Sequence, residues 1–249
     1  MLPRPLLSKQ APWHSVNQPV LKRVSVDNLK RVVDQATLHD IAVGLDSYHK
    51  YNRIMVRLGE HCQTTTRIAA AVFAALSPNN DYFGNLRDAH TLLSAARDGR
   101  QLEDFSVSTY GQNKRKAWRI VKGEDPLDLI VADKTRNFFQ NIYDPTDPVP
   151  VTVDGHMINV WRCKRENLVG LRFPKGLYAE VAEGVRVVAR ERDWLPCQTQ
   201  GIIWMTWRRV HGIRTTQQTE LWDTEMLAAR LGFHPIGKRQ LTLLEVPFG

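Results

Sequence analysis

Lys134 and Asp154 are the residues whose types and spacing best support chemistry, with His156 beside them as a supporting residue. A carboxylate held beside a carbon that develops positive charge stabilises an oxocarbenium-like transition state, as cleavage of an N-glycosidic bond requires. It can also take the proton of an attacking water or amine. A lysine beside it, in its neutral form, attacks such a carbon directly and forms a Schiff base. Each residue also has a purely structural reading. Asp154 follows the extended run VTV and precedes a helix, where an N-cap is worth about 1 kcal/mol. Lys134 reads equally as a solvated helix lysine, and His156 as a hydrogen-bonding structural histidine.

The elements that must position these side chains are mostly helices. VDNLKRVVDQATLHDIAVGL places Leu29, Val32, Val33, Ala36 and Ile41 near a 3.6-residue period, and a second helix is expected around YHKYNRIMVRLGEHC. TTTRIAAAVFAALSP predicts a buried helix capped by threonine and closed before Pro78. NLRDAHTLLSAAR is amphipathic and stops near Gly99, and KRKAWRIVKG and DPLDLIVADKTRNFFQNIYDP follow as shorter helical pieces. VPVTV is the best strand-like or extended run, and it leads straight to Asp154. GLYAEVAEGVRVVARERDW and TQGIIWMTWRRVHG predict two late helices, and QLTLLEVPFG reads as a terminal strand or hairpin arm. Pro3, Pro5, Pro12 and Pro19 make residues 1–25 an extended arm, leaving 26–249 as one domain. The fold class expected is all-α.

The segment from Lys134 to His156 resembles the helix-hairpin-helix DNA glycosylase superfamily, whose familiar branch is the endonuclease III group. There a hairpin ends in lysine followed by Thr or Val, an apolar helix follows, and an extended Val-Asp-x-His closes the pattern. Lys134-Thr135, the run Phe138 to Ile142, and Val153-Asp154-Gly155-His156 match these parts. Upstream, AAVFAALSPNNDYFGNLRDAHTLL is similar to the family's early core helix and polar turn, with Asn79 where relatives place a side chain that probes the opened duplex. Downstream, CQTQGIIWMTWRRV looks like the late helix of phage-type members and carries Gln200, Trp204 and Arg208. The resemblance spans roughly residues 60–210.

The resemblance implies a glycosylase-like bundle of two helical lobes that flips a modified or damaged base out of the stack and cuts its N-glycosidic bond. Asp154 and Lys134 would be catalytic, with AP-lyase activity where Lys134 is the nucleophile. His156, Asn141 and Gln200 would support them. The family's hairpin holds phosphate on backbone N–H groups at a glycine-rich turn and the next helix start. Here that stretch reads LDLIVADKT, with Ala132 and Asp133 in place of glycines and Thr135 after the lysine. Lys114, Arg115 and Lys116 supply a basic segment that could take over phosphate contact. Two other readings remain: a DNA base hypermodification enzyme on the same fold, and a non-catalytic DNA-binding or phage-structural protein.

The rest of the composition sets bounds. A formal net charge of +8 suits a polyanionic partner, and 249 residues with 43% hydrophobic content can fill a core. Cys62, Cys163 and Cys197 show no ligand spacing and read as reduced thiols, so neither an iron–sulfur cluster nor another metal is expected. The sequence has no glycine-rich nucleotide loop, so no cofactor is expected. It has no long apolar run, and the expectation is a cytoplasmic monomer acting on DNA, in a bacterial or phage-infected cell.

Overall fold

The computed structural model describes residues 23–166, 174 and 176–213. Most of the N-terminal arm and the terminal QLTLLEVPFG run lie outside the described residues. Among the described residues the protein is all-α: ten α-helices and one 3-10 turn, with no strand.

The first helices divide at a place the periodicity alone passes over. α1 (Arg23–Asp34) and α2 (Leu38–His61) are separate, because Thr37 caps α2 by accepting from Asp40 N–H while the Asp40 carboxylate accepts from Thr37 N–H. This reciprocal box ends one helix and starts the next. Asp40 also receives Arg209 Nε at 2.7 Å, so the same carboxylate ties the α2 start to the end of the last helix. α1 also begins at Arg23, slightly before the expected end of the arm.

Two apolar cores follow. The first gathers the second half of α2, α3 (Thr66–Leu76), α4 (Tyr82–Arg97), α5 (Gly111–Val121) and α7 (Asp133–Tyr143). α3 is its axis: every residue from Ala69 to Leu76 is buried, as an alanine-rich helix with threonine caps allows. The second gathers α1, the extended run at Val151 and Val153, α8 (Gly155–Arg162), α9 (Leu177–Arg192) and α10 (Pro196–Val210). A short α6 (Pro126–Leu129) precedes α7, and the chain turns between them at residues 130–132.

α2 and α10 join the two cores. They cross at Gly44 and Gly201, where a Cβ on Gly201 would lie 2.8 Å from the Gly44 carbonyl oxygen. Only glycine on both sides permits that approach. A buried polar seam runs beside the crossing. Tyr48 on α2 donates to Gln200 on α10 at 2.9 Å, and Asn141 on α7 donates to Thr152 at 3.0 Å. Asn141 and Gln200 are thus buried polar residues at the boundary between the cores.

Candidate functional site

The chain reaches Asp154 through an extended run that is not a strand. Pro148 and Pro150 remove backbone donors, and side chains take neighbouring groups: Arg186 donates to Val149 O at 2.8 Å, and Tyr178 on α9 donates to Val151 O at 2.7 Å and accepts from Val153 N–H at 3.2 Å. The same hydroxyl lies 3.3 Å from Asp133 O at the head of α7. It thus holds the residue before Lys134 and the residue before Asp154 at one point. Burial is the main reason its ionisation is pushed up to about 12, so it stays a neutral hydrogen-bonding rivet at physiological pH.

Asp154 is the N-cap of α8. Its Oδ1 accepts from Met157 N–H at 3.0 Å, and its Oδ2 accepts from the Trp204 indole N–H at 3.0 Å. The capping expectation is met, yet the cap uses only one oxygen. The second is oriented by a side chain fifty residues away on α10, so the carboxylate plane is fixed from two elements. Trp204 also packs against the edge of the His156 ring at 6.2 Å and carries the Arg208 guanidinium over its own face at 4.3 Å. The helical spacing of Gln200, Trp204 and Arg208 puts all three on one side of α10. Trp204 is therefore not mere core packing.

His156 reports the electrostatics of the cluster. Its basicity falls below the usual histidine value, first because of burial and then because Arg208, Lys134 and Arg165 are near, while Asp154 opposes the shift. Lys134, Asp154, His156 and Arg208 thus share one local field. Arg208 is itself buried, and burial lowers its basicity while Asp154 raises it. The Nδ1 atom of His156 is buried and has no hydrogen-bond partner among the described residues.

The lowered His156 basicity has a sign that can be worked out. The unfolded chain takes up a proton near pH 6.5, before the folded one does, so stability is fully present above that value and is lost as pH falls below it. His90 and His211 shift in the same direction and share the loss. Urea midpoints at pH 7.5 and 5.5 should therefore differ less in His156→Gln than in the wild type; an unchanged difference would remove His156 from this linkage.

The DNA-contact candidates are distributed unevenly. Lys134 is exposed on the first turn of α7, where Ala132 is the N-cap and offers no side-chain acceptor. The first N–H groups of α7, including those of Asp133 and Thr135, therefore receive no cap from that side chain. The exposed Asp133 side chain stands in the same first turn. Lys114 does not face outward: its ammonium donates to Leu102 O at 2.6 Å and to Phe105 O, and sits over the Phe105 ring. That leaves Arg115 and Lys116 as the outward charges of the three. Asn79 adopts a left-handed conformation, φ 57°, and donates to the Tyr110 hydroxyl at 2.6 Å. No hydrogen bond or ion pair among the described residues joins Asn79, Arg115 or Lys116 to the Asp154 cluster.

Cys62, Cys163 and Cys197 are free thiols. Among the described residues, no three His, Cys, Asp or Glu side chains gather as a metal site would, and no helix is long and apolar enough to cross a membrane.

The described residues form an all-α protein with two cores, in which a carboxylate at a helix start is held by a backbone N–H and an indole, with a histidine and an arginine packed on that indole. The chain belongs to the family described as Family of unknown function (DUF7178), whose pattern matches residues 13–211. It matches no curated protein and no solved structure.

Proposed function

We propose that the protein processes DNA bases by cleaving the N-glycosidic bond of a modified or damaged base, with Asp154 as the carboxylate that stabilises the transition state. The observation that carries this reading is the holding of Asp154 by Met157 N–H and Trp204 N–H within the field of Lys134, His156 and Arg208. A carboxylate fixed before the reaction costs no reorganisation when positive charge develops on the sugar. The position of the cluster, beside the seam between two cores, suits a flipped base that must leave the stack to be reached. The resemblance of Lys134-Thr135 and Val153-Asp154-Gly155-His156 to the helix-hairpin-helix glycosylases adds the reaction class. α6, the turn at 130–132 and the α7 start give a short helix–turn–helix whose uncapped donors can hold a phosphate.

The exposure of Lys134 favours one of its two roles. A solvated ammonium is a charge, not a nucleophile, so Lys134 serves the DNA backbone while water attacks the sugar. Borohydride added during turnover should then trap no covalent adduct, and Lys134→Ala should lower base release by about tenfold without abolishing it. An adduct that Lys134→Ala removes would replace hydrolysis by the Schiff-base route and add AP-lyase activity.

A further inference from the structure

The second core contains a cavity that the Asp154 cluster does not use. It lies at the C-terminal ends of α8 and α10, about 12 Å along α8 from its Asp154 end. Its volume is about 270 Å³, and its lining includes Arg31 from α1, Arg165 beyond α8, and Trp207 and His211 from the end of α10. No carboxylate lines it.

Several arginines elsewhere in this protein meet acids. Arg67 pairs with Asp125, Arg162 with Glu166, Arg186 with Glu183 and Arg209 with Asp40. Arg31 and Arg165 make no ion pair among the described residues; Arg165 only donates to His211 O at 3.2 Å. Two guanidiniums without an acid, around one cavity that no carboxylate lines, are charges that call for an anion.

We propose that this cavity binds the phosphate group of a nucleotide, with Arg31 and Arg165 supplying charge. Guanidinium forks match phosphate oxygens in pairs. Val32, Val160 and the His211 ring, which lies tilted against Trp207 at 3.8 Å between centroids, provide a wall for the attached sugar or base. The volume falls just below the roughly 300 Å³ at which whole small-molecule sites begin, so the phosphate end of a nucleotide fits better than a complete cofactor. The phosphate belongs either to a free nucleotide or to a DNA strand. This site does not depend on the reaction assigned to Asp154.

Titration calorimetry of the full chain with inorganic phosphate and thymidine monophosphate tests the free source. Affinity for an oligonucleotide across a salt series tests the strand. The variants are Arg31→Gln, an exposed position without an ion pair among the described residues, whose change leaves folding intact, and Arg31→Gln/Arg165→Gln, each checked by thermal melting. A free nucleotide site is shown by saturable monophosphate binding that weakens at least tenfold in the double variant. A strand phosphate is shown by oligonucleotide binding alone, with the slope of log affinity against log salt shallower by about 0.9 for each phosphate that the variant no longer neutralises. Unchanged binding of all three probes in a folded Arg31→Gln protein, or no binding of any probe to the wild type, overturns the proposal. Base release is not read in this experiment, so its failure leaves the role of Asp154 standing.

Discussion

Asp154→Asn should lower base release by roughly 100- to 10,000-fold, the range a positioned acid–base or electrostatic group supplies, while DNA affinity stays within about twofold. Asparagine caps a helix as well as aspartate, so Met157 N–H keeps its acceptor. What is lost is the carboxylate charge, which in the proposed reaction faces the sugar, and one acceptor for the Trp204 indole, the latter worth about 1 kcal/mol of stability. Released base measured by mass spectrometry, affinity measured by anisotropy and a urea midpoint separate the three effects. A loss of DNA affinity as large as the loss of turnover would make Asp154 a structural residue of the binding surface.

Gly44→Ala should destabilise the fold by about 3 kcal/mol, at the upper end of what overpacking usually costs. Its Cβ would lie 2.5 Å from Ile202 N and 2.7 Å from Ile202 Cα. Those are backbone atoms, so no rotamer change relieves the clash and α10 must move. The gain of about 1 kcal/mol in helix propensity for alanine over glycine does not offset this. Trp204 lies half a turn beyond Ile202 on the same helix, so a displaced α10 draws its indole from Asp154 and turnover falls with stability. Gly111→Ala is the control, because its Cβ meets only the tip of Arg115 at 3.6 Å and the change should stay within about 0.5 kcal/mol. Urea melts of the two variants decide it: equal midpoints would contradict the tight crossing.

The helices were legible where apolar period and caps agree. α3 has both, with Thr65 as its cap and an unbroken buried body, and α9 and α10 follow their expected runs. The break at Thr37 was not legible from the period, because apolar residues continue in phase across it; only the Thr37–Asp40 pair marks it. VPVTV reads as strand-like from its valines, but a strand needs a neighbouring strand, and here the side chains of Tyr178 and Arg186 take backbone groups instead. No local pattern announces that.

The candidate site shows the same division. Lys134 and Asp154 lie within one continuous turn, helix and extended run, so one short stretch of chain carries both. Tyr178 and Trp204, which fix the two ends of that stretch, arrive from α9 and α10 and could be placed only by packing. Trp204 was legible as an aromatic residue in register with Gln200 and Arg208, but its spacing suited a core position equally. Lys114 shows the limit of reading charge along a helix. It shares the basic run with Arg115 and Lys116, yet its ammonium turns inward onto the Leu102 and Phe105 carbonyls.

The most direct measurement is free-base release by the wild-type protein from duplexes that each carry one modified or damaged base, followed over time by mass spectrometry. Cleavage at the glycosidic bond predicts that at least one duplex yields its free base and an abasic site in the same amount. Salt-sensitive binding across the panel with no base released from any duplex would contradict catalysis by Asp154 and leave a DNA-binding protein.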